Sequence, residues 1–111
     1  MRVERERAEA VAAAALEANG ITPSDATATA EVLVSADARE KQSHGLLRLP
    51  RFVRGIDHGN VDPEGDIEVV RDAGAAATLA GGSRLGPVVA REAVGEATAR
   101  ADDYGIGAVG V

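Results

Sequence analysis

The chain has 111 residues, a formal net charge of −6, two histidines, no cysteine and no tryptophan. That length suits about one domain, and the acidic balance argues against a nucleic-acid or anionic-membrane binder, which needs concentrated positive charge. The absence of cysteine excludes disulfides and thiolate metal sites, and no apolar run approaches the ~20 residues of a membrane span.

Hydrophobic residues make up 45% of the chain, but nearly half of them are alanine, with one Phe, one Tyr and one Met. Such small side chains allow close helix packing yet bury little apolar area each, so the expected stability is modest and further protein is expected to support it. The opening Met1-Arg2-Val3-Glu4-Arg5-Glu6-Arg7 is too charged for a signal peptide. A cytoplasmic protein is the plain expectation.

Residues 3–19 read as an alanine-dense helix stopped by Asn19-Gly20. Thr22-Pro23-Ser24-Asp25 starts a second helix: a capping hydroxyl, a proline suited to the first turn, and an acid at the positive end of the helix dipole. That helix is predicted to run to Arg39 or Lys41, with Ala26, Ala30, Leu33 and Val34 on one face. Ser43 is a candidate cap for a third helical piece ending near His58-Gly59, with Leu46, Leu49, Val53 and Ile56 as its apolar stripe. Pro50 interrupts it, since it cannot donate to the Leu46 carbonyl; either the helix kinks or regular helix begins just before Pro50.

After a turn-like stretch at 60–65 the texture changes. Segments 67–70 and 76–80 are β-compatible and separated by Asp72-Ala73-Gly74. A long helix is predicted over 85–104, with Val89, Ala93, Ala97, Ala101 and Tyr104 on one face and Glu96–Arg100 as a favourable i,i+4 pair. Residues 106–111 form an apolar run of strand length. A strand of this kind with no polar tail after it reads as part of a longer protein. The expectation is an α+β chain: a helical module over 1–60, and the opening β and α elements of a second domain over 61–111.

Gly105-Ile106-Gly107-Ala108-Val109-Gly110 matches G-x-G-x-x-G, but a helix precedes it where a dinucleotide site needs a strand, so the match is rejected. Gly81-Gly82-Ser83 could present backbone N–H groups to an anion, although most such loops only turn the chain. His58 sits near a helix C-terminus, where a cation is structurally favoured. No metal site is expected from two histidines fourteen positions apart.

The segment Ser43-His44-Gly45-Leu46-Leu47-Arg48-Leu49-Pro50-Arg51-Phe52 carries the most chemistry. His44 is the side chain best able to move a proton near neutral pH, and Arg48 suits a carboxylate. If helical, the two share a face and converge on one small ligand, such as a 2-oxo or 2-hydroxy acid. On spacing alone, a structural helix-start histidine remains the competing account.

Val34-Ser35-Ala36-Asp37-Ala38-Arg39 followed by that segment resembles the N-terminal signature of the malate/L-lactate dehydrogenase type 2 family, which includes sulfolactate and ureidoglycolate dehydrogenases and diketogulonate reductase. The stretch 77–111 is similar to a later part of the family pattern, so the resemblance covers nearly the whole chain. It implies an oxidoreductase using NAD or NADP on a small 2-hydroxy or 2-oxo acid, and the opening of a non-Rossmann NAD(P)-binding domain. It further implies a homodimer when full length, with His44 as proton donor or substrate ligand and Arg48 as the carboxylate contact. Most cofactor contacts would lie outside this chain, and no cofactor-binding residue is assigned. One departure is Glu40, where the family commonly has glycine, which raises the question of the local turn. The alternative from a different class is a non-catalytic helical dimerisation or interaction module.

Overall fold

The computed structural model describes residues 1–111, which divide into two compact units, residues 1–63 and 64–111. The first unit is built on two helices, α1 (Arg5–Ala18) and α2 (Pro23–Ala38). Thr22 caps α2 as its sequence predicts, its Oγ1 accepting from the Asp25 N–H at 3.4 Å. At the end of α1, Ile21 N donates to Leu16 O and Gly20 N to Glu17 O, with Gly20 in the left-handed region at φ +92°. These two bonds form a Schellman closure, which satisfies carbonyls that the helix leaves open.

The core of this unit comprises Ala12, Leu16, Ile21, Ala26, Ala28, Ala30, Leu33 and Val34, all buried. Alanine lets α1 and α2 approach closely, and Leu16, with no exposure, is the largest apolar side chain wholly enclosed. Full burial of such a leucine is worth about 1.5–3 kcal/mol. Thr29 is equally enclosed, and its Oγ1 has no hydrogen-bond partner.

The predicted third helix is replaced by a composite. A 3₁₀ turn, Gln42–His44, is followed by Gly45, a second 3₁₀ turn, Leu46–Arg48, and then α3 (Leu49–Asp57). Of the two outcomes that Pro50 allowed, regular helix beginning just before it is the one found, with Pro50 in the first turn where its missing N–H costs nothing. Ser43 therefore caps no helix. Leu46, Leu49, Val53 and Ile56 are half-buried, and no residue of α3 is fully buried.

The second unit is a three-stranded sheet in the order β1 (Glu68–Ala73), β2 (Ala76–Ala80), β3 (Ala108–Gly110), with α4 (Gly86–Tyr104) joining β2 to β3. β1 and β2 are antiparallel, and the register slips between Val69 and Arg71, leaving a bulge at Val70. β1 continues through Ala73, so the turn falls at Gly74-Ala75, later than the sequence suggests. β2 and β3 are parallel, pairing Ala77 with Val109. β2 alternates between buried and exposed residues, with Ala77 and Leu79 inside alongside Leu85 and Val89. Tyr104, expected on the apolar face of α4, is 60% exposed and lies over Gly74.

Candidate functional site: the turn between α2 and α3

α2 ends in a second Schellman closure: Lys41 N donates to Ala36 O at 2.8 Å, and Glu40 N to Asp37 O at 2.9 Å. Glu40 takes the left-handed position itself, at φ +60°. The turn thus forms with glutamate where glycine is expected, at the cost that a Cβ carries in this conformation, about 1–2 kcal/mol.

From there the chain folds back onto α2. The Asp37 carboxylate accepts from the Leu46 N–H at 2.9 Å, and Gly45 is buried against the same carboxylate, where a Cβ would overlap it. Gly45 has an ordinary negative φ of −94°. Glycine is required here by space, not by backbone conformation. His44 N to Lys41 O and Arg48 N to Gly45 O, both at 2.9 Å, complete the two 3₁₀ turns.

His44 and Arg48 therefore do not share a helix face, because Gly45 separates them into different turns. A different contact links them. Arg48 Nε donates to the Ser43 carbonyl at 2.6 Å, which sets the guanidinium beside the peptide bond joining Ser43 to His44. Ser43 Oγ lies 2.9 Å from His44 Nδ1. The Nη groups of Arg48 and Nε2 of His44 make no bond within the chain. His44 is exposed and lines an open groove of about 640 Å³ whose other walls include Glu31, Val32, Ser35, Arg39 and Lys41. Arg48 is not among the residues lining that groove; the imidazole Nε2 and the guanidinium fork, linked through Ser43, can each bond an oxygen of a small carboxylate bearing a second polar oxygen.

His58 is elsewhere, capping the C-terminal end of α3, where its N–H donates to Arg54 O at 3.0 Å. No three His, Cys, Asp or Glu side chains are grouped to hold a metal ion. Neither glycine segment forms a dinucleotide cradle. The 105–110 run passes from the end of α4 into β3. In the other, Gly82 is packed backbone to backbone against Gly65 and Asp66. Neither of these two segments fits the pyrophosphate of a nicotinamide dinucleotide.

A family model described as malate/L-lactate dehydrogenase matches residues 3–111. The chain belongs to the malate/L-lactate dehydrogenase family. Among its relatives, the malate dehydrogenase of Pyrococcus horikoshii is 37% identical over 109 residues, 98% of this chain and 30% of that protein. The L-sulfolactate dehydrogenase of Methanocaldococcus jannaschii is 37% identical over 90 residues, 81% of this chain and 26% of that protein. The solved structure of the Pyrococcus horikoshii malate dehydrogenase superposes with a TM-score of 0.95 over 98% of this chain and 31% of that one, at 37% identity. The Methanocaldococcus jannaschii sulfolactate dehydrogenase gives 0.93 over 98% and 32%, at 33% identity. The chain thus spans about a quarter to a third of the length of these family members. Its helices and three-stranded sheet match the N-terminal part of malate and sulfolactate dehydrogenase structures.

Two contributors to the site were not visible as such in the sequence. Asp37 lies nine residues before the N–H it binds, a separation with no periodic signature. Ser43 has the sequence position of a helix cap, whereas its bonds go to the side chains of His44 and Arg48.

Proposed function

We propose that this chain supplies the proton-transfer and carboxylate-binding part of the active site of a dehydrogenase acting on a small 2-hydroxy or 2-oxo acid. The observation that carries the reading is the anchoring of Arg48 to the Ser43 carbonyl, beside His44 on an open groove. The names of the relatives, malate and sulfolactate dehydrogenases, support it.

In this reading the substrate carboxylate meets the two Nη groups of Arg48, a planar fork that fixes its orientation. The neighbouring carbonyl oxygen then faces His44. When the carbonyl carbon is reduced, negative charge develops on that oxygen, and His44 Nε2–H hydrogen-bonds it and gives up its proton. In the reverse direction the imidazole accepts the hydroxyl proton. NAD or NADP would be the hydride carrier, with most of its contacts on residues other than these 111. The same reading takes the full-length protein as a cytoplasmic homodimer; no helix of the chain is long and apolar enough to cross a membrane.

The test is oxidation of NADH and NADPH by the full-length gene product, with the 2-oxo acids corresponding to malate, sulfolactate and lactate. Turnover of at least one is expected. Failure of all three with both cofactors would overturn the reading.

A further inference from the structure

Ser43 touches both members of the pair through different atoms, its hydroxyl reaching His44 Nδ1 at 2.9 Å and its carbonyl accepting from Arg48 Nε at 2.6 Å. We propose that Ser43 is a positioning residue with two separable actions. Its hydroxyl occupies Nδ1, so that Nε2 is the nitrogen that exchanges a proton with ligand. Its carbonyl occupies Nε of Arg48, so that the guanidinium meets a carboxylate through its two Nη groups. The proposal rests on the roles given above to His44 and Arg48.

A hydroxyl oxygen suits the first action because it can accept from Nδ1–H. It does so both when the ring is charged and after Nε2 has given up its proton, when the neutral ring keeps its remaining proton on Nδ1, so the ring keeps its orientation through a proton-transfer cycle. The second action depends on the backbone alone. That backbone is fixed from both sides, by the His44 N–H bond to Lys41 O and by the Asp37 bond to Leu46 N–H.

The two actions predict a split. Ser43→Ala deletes the hydroxyl and keeps the carbonyl, so kcat should fall about three- to tenfold, the range of one hydrogen bond, while KM for the 2-oxo acid stays within about twofold. Ser43→Thr keeps a hydroxyl and should restore kcat. An activity-independent readout is the ¹⁵N spectrum of the histidine rings in the full-length protein, with His58 as internal reference. The Nδ1 resonance of His44 should move in Ser43→Ala and return in Ser43→Thr, while His58 does not move. An unmoved Nδ1 in Ser43→Ala overturns the proposal, as does a change confined to KM. A moved Nδ1 with unchanged turnover upholds the contact and overturns the assignment of His44 to proton transfer.

Discussion

Gly45 rests on the carboxylate of Asp37 with no room for a Cβ between them, and that carboxylate also holds the Leu46 N–H. One acid of α2 therefore sets the position of the turn that carries His44 and Arg48. Gly45→Ala should force the turn off α2 and destabilise the protein by about 1–3 kcal/mol, the usual cost of overpacking. Turnover should fall with it, because His44 and Arg48 lie on either side of the displaced residue. Urea denaturation and steady-state kinetics on the same variant check both; an alanine variant of wild-type stability would show that the turn has slack.

His44→Gln in the full-length protein should reduce turnover about 10²-fold or more, the usual size of a general-acid contribution. Arg48→Lys should act mainly on substrate binding, raising KM about tenfold, because an ammonium cannot make the planar two-bond contact. Initial-rate kinetics separate the two effects. Unchanged turnover in the first variant, or an unchanged KM in the second, removes that residue from its role.

Glu40 carries a side chain in a left-handed position that closes α2. Glycine there would relieve about 1–2 kcal/mol of steric cost and lose part of it to the greater freedom of the unfolded chain. Glu40→Gly is expected to stabilise by about 0.5–1 kcal/mol, seen as a higher urea midpoint with an unchanged slope.

The Thr29 hydroxyl is enclosed and has no partner, so it bears a desolvation cost with no bond in return. Thr29→Val keeps the branched shape and removes the hydroxyl. The expected gain is about 1 kcal/mol, measured by thermal unfolding; a loss of stability would mean that the hydroxyl is satisfied in solution.

Arg100, only 8% exposed, reaches from α4 to Asp72 Oδ1 at 2.8 Å and to the Gly74 carbonyl, while Glu96 holds its other side at 2.8 Å. The bond from Arg100 holds the Asp72 carboxyl below its ordinary value of 3.8, helped by the Gly74 N–H. A lowered folded value stabilises above the unfolded one, and the contribution disappears as the pH falls through the folded value. Asp72→Asn should therefore be less stable than wild type at about pH 7, with the gap shrinking at a pH below the ordinary carboxyl value of 3.8. Denaturant midpoints at the two pH values check this; a pH-independent gap would assign the loss to geometry and not to charge.

What the sequence made legible was local. Thr22-Pro23 announces the start of α2, Asn19-Gly20 the end of α1, and Glu96–Arg100 a pair one helical turn apart, because each depends only on neighbours. Pro50 signalled the interruption before α3, though not that two 3₁₀ turns would fill the gap. The contacts that organise the candidate site and the sheet join distant positions: Asp37 to Leu46, Asp72 to Arg100, Gly65 to Gly82. No periodicity marks such pairs; they exist only once the elements have packed. Residue types identified His44 and Arg48 as candidates, but the helical geometry expected to join them was replaced by the backbone carbonyl of Ser43.

α1, α2 and α3 all stop on the same pair of backbone bonds, the last through Asn60 N to Gly55 O and Gly59 N to Ile56 O. Each of these helix ends is thus decided within six residues, so little loop-closure entropy stands between the unfolded chain and the α1–α2 hairpin. Low contact order of this kind favours rapid folding. During synthesis the partners of these helix-end bonds leave the ribosome almost together, whereas β2 must wait for all of α4 before its parallel partner exists.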